Sequence, residues 1–249
     1  MQLIVDGLYI NYQRQGKGKK VILLHGWADS SKGMQPIFNK LSKKFDVLAI
    51  DLPGFGASQR PKTDWGLNDY ANFVAELVKK LKINDIYSIV GHSNGGAIAI
   101  KALANSYIST EKLILISSSG IRNKQKGKLN LLKAATKTAK VISLPLAAST
   151  KRKLRKRLYD KVHSDLLVAE DMSGSFKKII TEDIQSDATE INIPTLLIYG
   201  QEDNQTPVLY GEIYHQLIKN STLEIIGGAG HFIQYDQPDK LILMIEKFL

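Results

Sequence analysis

The fold is decided by SIVGHSNGGAIAI, residues 88–100. An apolar run ends at Gly91, Ser93 stands between Gly91 and Gly95, and a second apolar run follows. A strand that turns sharply into a helix through Gly-x-Ser-x-Gly strains the serine backbone, so small residues are needed two positions away on either side. The turn lifts the hydroxyl above the carboxyl edge of the sheet, beside amides at the N-terminus of the helix. Ser93 is therefore predicted to be a nucleophile, with Gly91 and Gly95 forming its elbow.

A serine hydroxyl needs a base to remove its proton and a carboxylate to orient that base. Of the five histidines, only His231, in GGAGHF at 227–232, lies on a glycine-rich loop just after an apolar strand and before the last helix. The segment LLIYGQEDNQTP supplies Asp203 after another strand, and Glu202 is the poorer choice. The order Ser93, Asp203, His231 is the order in which a catalytic triad occurs on a sheet of this kind.

The rest of the chain predicts an α/β fold around this elbow. LIVDGLYINYQ indicates two short strands joined at Asp6-Gly7, because Asp-Gly favours a tight hairpin turn. Near-continuous apolar runs then alternate with segments of helical periodicity, which is typical of a parallel sheet covered on both faces. We expect a mostly parallel sheet of about eight strands with helices on both sides. The helical segments are 33–44, 68–82, 94–106, 207–219 and 237–248.

The alternation of strands and helices fails between residues 121 and 185, which predicts an inserted helical cap between two core segments, 1–120 and 186–249. The formal net charge of the chain is +10. The predicted cap holds sixteen Lys and Arg against six Asp and Glu, whereas the two core segments hold eighteen of each sign. The whole charge imbalance therefore belongs to the cap.

The chain resembles the α/β-hydrolase superfamily over nearly its full length. The matching pieces are HGW at 25–27, DLPGFGAS at 51–58, GHSNGG at 91–96, GQEDNQTP at 200–207 and GAGHF at 228–232. The resemblance implies that the backbone amides of Trp27 and Asn94 form an oxyanion hole. It also implies a serine hydrolase acting on a small-molecule acyl substrate, with a carboxylic ester the expected class.

Several activities within the superfamily remain open. Ser93 argues against haloalkane dehalogenases and epoxide hydrolases, which use an aspartate nucleophile, and HGW argues against esterases with an HGGG loop. Carboxylesterases, thioesterases, C–C bond hydrolases and perhydrolases are not separated by these motifs. A hydrolase-fold receptor, which binds a small ligand with little turnover, is the alternative outside the enzymes.

Other chemistries find little support. The chain has no cysteine, which excludes disulfides, thiolate catalysis and Cys-based zinc sites. No His-x-x-x-His pair or other clustered ligand set is present, so we expect no metal. No phosphate-binding glycine loop has the required spacing, so we expect no nucleotide cofactor. The N-terminus has no signal-peptide pattern and no stretch is long and apolar enough to span a membrane, which predicts a cytoplasmic protein.

The run KRKLRKRL, 151–158, is the feature that the superfamily pattern leaves unexplained. Such a run is most often a solvated helix face. The alternative is a surface for an acidic carrier protein or an anionic membrane. Pimeloyl-carrier-protein methyl ester esterases, which belong to this superfamily, are similar to this chain in carrying basic residues on a helical lid. We expect no specific nucleic-acid partner, because the charge is confined to one segment.

Overall fold

A computed structural model describes residues 1–122 and 172–249. Its centre is an eight-stranded sheet in the order β1-β2-β4-β3-β5-β6-β7-β8, in which β3 to β8 are parallel and β1 and β2 are antiparallel. The predicted α/β fold with a mostly parallel sheet of about eight strands is confirmed. The strands are β1 Gln2–Val5, β2 Leu8–Gln15, β3 Lys20–Leu24, β4 Asp46–Ile50, β5 Ile86–His92, β6 Thr110–Ile116, β7 Thr195–Gly200 and β8 Ser221–Ile226.

The first two strands form the hairpin that the Asp-Gly pair predicts. Asp6 and Gly7 both adopt positive φ, 48° and 77°, as a two-residue hairpin turn of the favoured handedness requires. The exposed and buried positions alternate along β2, so only one face of this edge ribbon packs on the core. β5, by contrast, is buried along its whole length, because it lies in the centre of the sheet.

Helices cover both faces of the sheet. One apolar core cluster joins the sheet to the helices at 67–80, 94–104, 173–181, 185–189 and 208–217, and a second joins the opposite face to those at 35–41, 233–236 and 238–248. A short 3-10 turn, Ser31–Met34, precedes α1. In the described residues the helices are α1 Gln35–Leu41, α2 Leu67–Lys80, α3 Asn94–Ala104, α4 Ser173–Thr181, α5 Gln185–Thr189, α6 Val208–Leu217, α7 Ile233–Asp236 and α8 Pro238–Phe248. None of these helices is long and apolar enough to cross a bilayer.

The predicted cap, 121–185, falls mostly outside the described residues. Only its ends, 121–122 and 172–185, are described, and α4 lies in the second of these pieces. The basic run at 151–158 lies wholly outside. The core and cap boundaries therefore stay predictions.

The order of the parallel strands changes direction between β3 and β5. From β3 the chain moves outward to β4 on one side, whereas β5, β6, β7 and β8 follow one another on the other side. A crevice opens above a sheet at such a switch point, and ligands of open α/β folds bind there. Trp27 follows β3 and Ser93 follows β5, so both lie beside the switch between these two strands.

Candidate active site

Ser93 occupies a strained turn between β5 and α3. Its φ and ψ are 51° and −115°, a combination that costs a non-glycine residue free energy and is found mostly at functional sites. The backbone is held there from both sides, because the Ser93 N–H donates to Ile116 O at 2.9 Å and its carbonyl accepts from Gly96 N at 3.1 Å. The sequence prediction of a sharp strand-to-helix turn at Ser93 agrees with this geometry.

The glycines around Ser93 are required by close backbone packing. A β-carbon at Gly91 would lie 2.5 Å from Gly96 Cα, on the far side of the elbow. A β-carbon at Gly95 would lie 2.2 Å from Leu24 O, at the end of β3. Real β-carbons do not approach other atoms so closely. The missing β-carbons therefore let the backbone at Gly91 pack against Gly96 and let α3 begin directly against β3.

Asp203 and His231 are brought together by the loops that follow β7 and β8. His231 Nδ1–H donates to Asp203 Oδ2 at 2.8 Å, and the Asp203 side chain is fully buried. Burial alone would raise the pKa of Asp203, but hydrogen bonds from His231 and Thr206 outweigh it and lower the pKa below its ordinary value. The carboxylate therefore stays ionised, and it fixes the tautomer of His231 that leaves Nε2 unprotonated.

Thr206 also hydrogen-bonds this carboxylate, and the sequence motifs do not predict this role. Its hydroxyl lies 2.7 Å from Asp203 Oδ2 and 3.1 Å from His231 Nδ1, and its N–H donates to Asp203 Oδ1 at 2.9 Å. Gln205 N–H donates to the same Oδ1 at 2.8 Å. Within residues 1–122 and 172–249, the four hydrogen bonds to the Asp203 carboxylate come from Gln205, Thr206 and His231. A threonine three residues after the candidate carboxylate was the only sequence signal.

Ser93, His231, Trp27 and Asn94 line one cavity of about 160 Å³ at the carboxyl edge of the sheet. No hydrogen bond joins the Ser93 hydroxyl to His231 in the described residues. Such contacts are often long in the absence of substrate. The predicted histidine and carboxylate are therefore in direct contact, and the predicted nucleophile lines the same cavity as the histidine.

The loop after β3 brings the backbone at Gly26, the residue before Trp27, close to Ser93. A β-carbon at Gly26 would lie only 3.2 Å from Ser93 Cβ, so the backbone of this loop runs close to the elbow. Asn94 is the first residue of α3, so its N–H has no acceptor within the helix. The indole of Trp27 packs edge-on against Phe55, with ring centroids 4.7 Å apart, and lies against Phe176 at 5.3 Å. Trp27 follows Gly26 and Asn94 follows Ser93 in the chain, and the role of their amides as an oxyanion hole stays a prediction.

His25 and His92 support these loops as neutral rings. The Nδ1–H of His25 donates to Gly26 O at 2.7 Å, while its Nε2 accepts from Leu52 N–H at 2.9 Å. His92 Nε2–H donates to the carbonyl of His231 at 2.9 Å. Burial, and next the proximity of His231, lowers the pKa of His92 to about 3. Each ring therefore ties a loop to the sheet and carries no charge at neutral pH.

Known proteins match both segments of the chain that contribute residues to this cavity. A family model for the alpha/beta hydrolase fold matches residues 19–142 and 152–238. The chain belongs to the α/β-hydrolase family. Among relatives of this α/β-hydrolase is a pimeloyl-[acyl-carrier protein] methyl ester esterase from Legionella pneumophila (strain Paris), which is 27% identical over 253 residues, 96% of this chain and 99% of the relative.

Two solved structures illustrate how well the α/β-hydrolase fold is matched. A thermophilic esterase from Thermogutta terrifontis superposes with a TM-score of 0.78 at 21% identity, covering 100% of this chain and 97% of the other. A bacterial membrane phospholipase A superposes with a TM-score of 0.80 at 23% identity, covering 100% of this chain and 84% of the other. At these identities the likeness concerns the fold.

Proposed function

We propose that this α/β-hydrolase is a serine hydrolase that cleaves small carboxylic esters through an acyl-enzyme intermediate. The observation that carries the proposal is that His231, hydrogen-bonded to Asp203 at 2.8 Å, lines the same cavity as the strained Ser93. A histidine whose Nδ1–H is held by an ionised carboxylate presents Nε2 as a base. The similarity to a methyl ester esterase from Legionella pneumophila points to the same class of substrate.

The proposed reaction has two halves. In the first, Ser93 Oγ attacks the ester carbonyl while His231 Nε2 takes the hydroxyl proton, and the tetrahedral intermediate collapses as His231 returns that proton to the leaving alcohol. In the second, His231 takes a proton from water, the resulting hydroxide attacks the acyl-serine, and the acid leaves as Ser93 regains its proton. Ester and water thus give acid and alcohol with no other reactant.

The oxyanion of each intermediate would be held by the amides of Trp27 and Asn94. Two backbone donors aimed at a developing charge, in a site that excludes water, are among the largest contributions to acyl-transfer catalysis. Because α3 begins at Asn94, its helix dipole also places partial positive charge there. Asp203 would hold the imidazole and stabilise the imidazolium that forms in each half-reaction.

A chain-length series of p-nitrophenyl esters, from acetate to octanoate, tests the proposal on the wild type and on Ser93→Ala in parallel. Repeated turnover by the wild type, lost in Ser93→Ala, is the expected result. One stoichiometric release without turnover would instead indicate a ligand receptor with a reactive serine. Parallel assays with an acyl thioester, a vinylogous 1,5-diketone and hydrogen peroxide plus acetate identify thioesterase, C–C hydrolase and perhydrolase activity.

We further propose that the basic run, 151–158, recognises an acidic carrier protein that presents the substrate. The sequence supplies the support, since this run holds six Lys and Arg and no acid. Changing Arg152, Arg155 and Arg157 to Glu should lower kcat/KM for a carrier-linked ester and leave a free methyl ester unaffected, mainly through the association rate. An equal effect on both esters, at low and high salt, would contradict carrier recognition and favour the alternative, in which these charges are only solvated.

A further inference from the structure

The cavity around Ser93 is lined by polar side-chain atoms that lack hydrogen-bond partners. In the part of the chain that the structure describes, the indole Nε1 of Trp27, both carboxamide atoms of Asn94 and Nε of Arg122 are buried without a partner. Buried polar atoms in folded proteins are nearly always paired. Three of these four atoms, Trp27 Nε1, Asn94 Nδ2 and Arg122 Nε, are donors, which indicates that a bound molecule supplies acceptors to this cavity.

Asn94 is the most constrained of the three side chains. It is 3% exposed and occupies the first position of α3, directly after the candidate nucleophile. The helix begins against β3 through Gly95, so the backbone at Asn94 is fixed. Both carboxamide atoms are buried in the described structure. An alkyl chain placed beside Nδ2 would leave this donor unpaired.

Arg122 brings a positive charge to the same cavity. Its two terminal nitrogens are anchored on backbone, with Nη2 donating to Ile179 O at 3.0 Å and Nη1 to Ile121 O at 3.3 Å. These contacts hold the half-buried guanidinium in place and leave Nε without an acceptor. No ion pair in the described residues involves Arg122. A buried or half-buried cation without a counter-charge is unfavourable unless a ligand supplies one.

The described side chains around the cavity supply no such counter-charge. None of the described residues that line it is acidic. Asp203 lies behind His231, and its two oxygens already accept four hydrogen bonds. The cavity therefore combines one cation, an indole donor and a carboxamide with an apolar wall that includes Phe176, Ile179 and Ile180.

We propose that the acyl group of the substrate carries a carboxylate, which is recognised by Arg122 together with the side chains of Asn94 and Trp27. This inference rests on the esterase function proposed above and narrows its substrate to half-esters of short dicarboxylic acids. The carboxylate neutralises Arg122 and accepts from the unpaired donors, while the methylene groups pack on the apolar wall. A site built to pair polar groups discriminates strongly against analogues that lack them.

The test compares two methyl esters with the same carbon chain, monomethyl glutarate and methyl valerate, by following methanol release. We expect kcat/KM to be about 10- to 100-fold higher for monomethyl glutarate, the range that one or two charge-assisted hydrogen bonds provide. In Arg122→Gln and in Asn94→Leu this ratio should fall toward one. Lys177→Gln is the matched control, because it removes one positive charge from an exposed position on α4 and should keep the ratio.

A binding measurement on Ser93→Ala makes the result independent of turnover. Monomethyl glutarate should raise its melting temperature more than methyl valerate does, and adding Arg122→Gln should abolish the difference. Hydrolysis of both esters at equal kcat/KM, or equal stabilisation of Ser93→Ala by the two esters, would overturn the carboxylate site while leaving the esterase intact. Failure of the wild type to cleave any ester, with monomethyl glutarate still the better ligand, would overturn the proposed function instead.

Discussion

Replacing Ser93 by glycine should make the protein more stable while abolishing its activity. Ser93 adopts a φ of 51° and a ψ of −115°, and a non-glycine residue in such a sparsely populated region costs about 1–3 kcal/mol. Glycine removes the Cβ that causes this cost. The elbow itself would persist, because the backbone hydrogen bonds of Ser93 to Ile116 and Gly96 do not involve the side chain.

The expected magnitude follows from two opposing terms. Relief of strain contributes about 1–3 kcal/mol, while the greater freedom of glycine in the unfolded chain costs about 0.5–1 kcal/mol. The net gain in the free energy of unfolding is therefore about 0–2.5 kcal/mol, with a central value of about 1.3 kcal/mol. For a chain of this size each kcal/mol raises the melting temperature by roughly 2–4 °C, so we expect an increase of about 4 °C.

Ser93→Ala is the matched control for this substitution. It removes the hydroxyl, which makes no hydrogen bond within the described residues, but keeps the Cβ and hence the strain. Guanidinium unfolding and scanning calorimetry on the wild type and both variants should place Ser93→Ala near the wild type and Ser93→Gly above both. If Ser93→Gly is no more stable than Ser93→Ala, the elbow does not store strain and the argument from backbone geometry is wrong.

Three further predictions concern the groups around the nucleophile. Thr206→Val should lower kcat about tenfold with little change in KM, because Asp203 Oδ2 loses a charge-assisted hydrogen bond of 2.7 Å. Thr206→Ser, which keeps the hydroxyl, should retain the wild-type rate. A change in KM alone would contradict the role of Thr206 in positioning Asp203. Gly95→Ala should lower the free energy of unfolding by about 3 kcal/mol or more in urea titrations, because its β-carbon would meet backbone at 2.2 Å. Gly227→Ala, where the added carbon meets only a side-chain atom at 3.2 Å, should cost less than about 1 kcal/mol, and equal costs would refute the packing argument. The pKa of His92 is lowered to about 3 from 6.5, so between these pH values the unfolded chain binds a proton that the folded chain does not. The free energy of unfolding is therefore highest above pH 6.5 and falls by up to about 1.4 kcal/mol per pH unit below it. His92→Gln should flatten this slope, and an unchanged slope between pH about 6.5 and about 4.5 would count against a neutral buried ring.

The strands and the elbow were predictable because each is encoded by local pattern. Asp6-Gly7 specifies its own turn, and the apolar runs specify a sheet that is buried on both faces. The pairing of Asp203 with His231 was predictable because both follow parallel strands, whose carboxyl ends meet at one edge. The first helix was less well predicted, since the periodic segment 33–44 begins inside the 3-10 turn at Ser31–Met34 and runs past the end of the helix at Leu41.

Other features of the site depend on contacts between distant segments. Thr206 looks like an ordinary residue before a proline until its hydroxyl is seen on Asp203. His25 and His92 were recognised as parts of core motifs, but the loops they hold were not evident from the sequence. The unpaired atoms of Asn94 and Arg122 are equally invisible there, because whether a polar group finds a partner is decided only by packing.

The central claim is that Ser93 and His231 act as one catalytic unit. The most direct test measures kcat on p-nitrophenyl acetate for the wild type, for Ser93→Ala, for His231→Ala and for the double variant. Because members of a triad depend on one another, each single variant should lose on the order of 10⁶ in kcat and the double variant should lose little more. Near-normal turnover in pure Ser93→Ala, or losses that multiply in the double variant, would contradict the account.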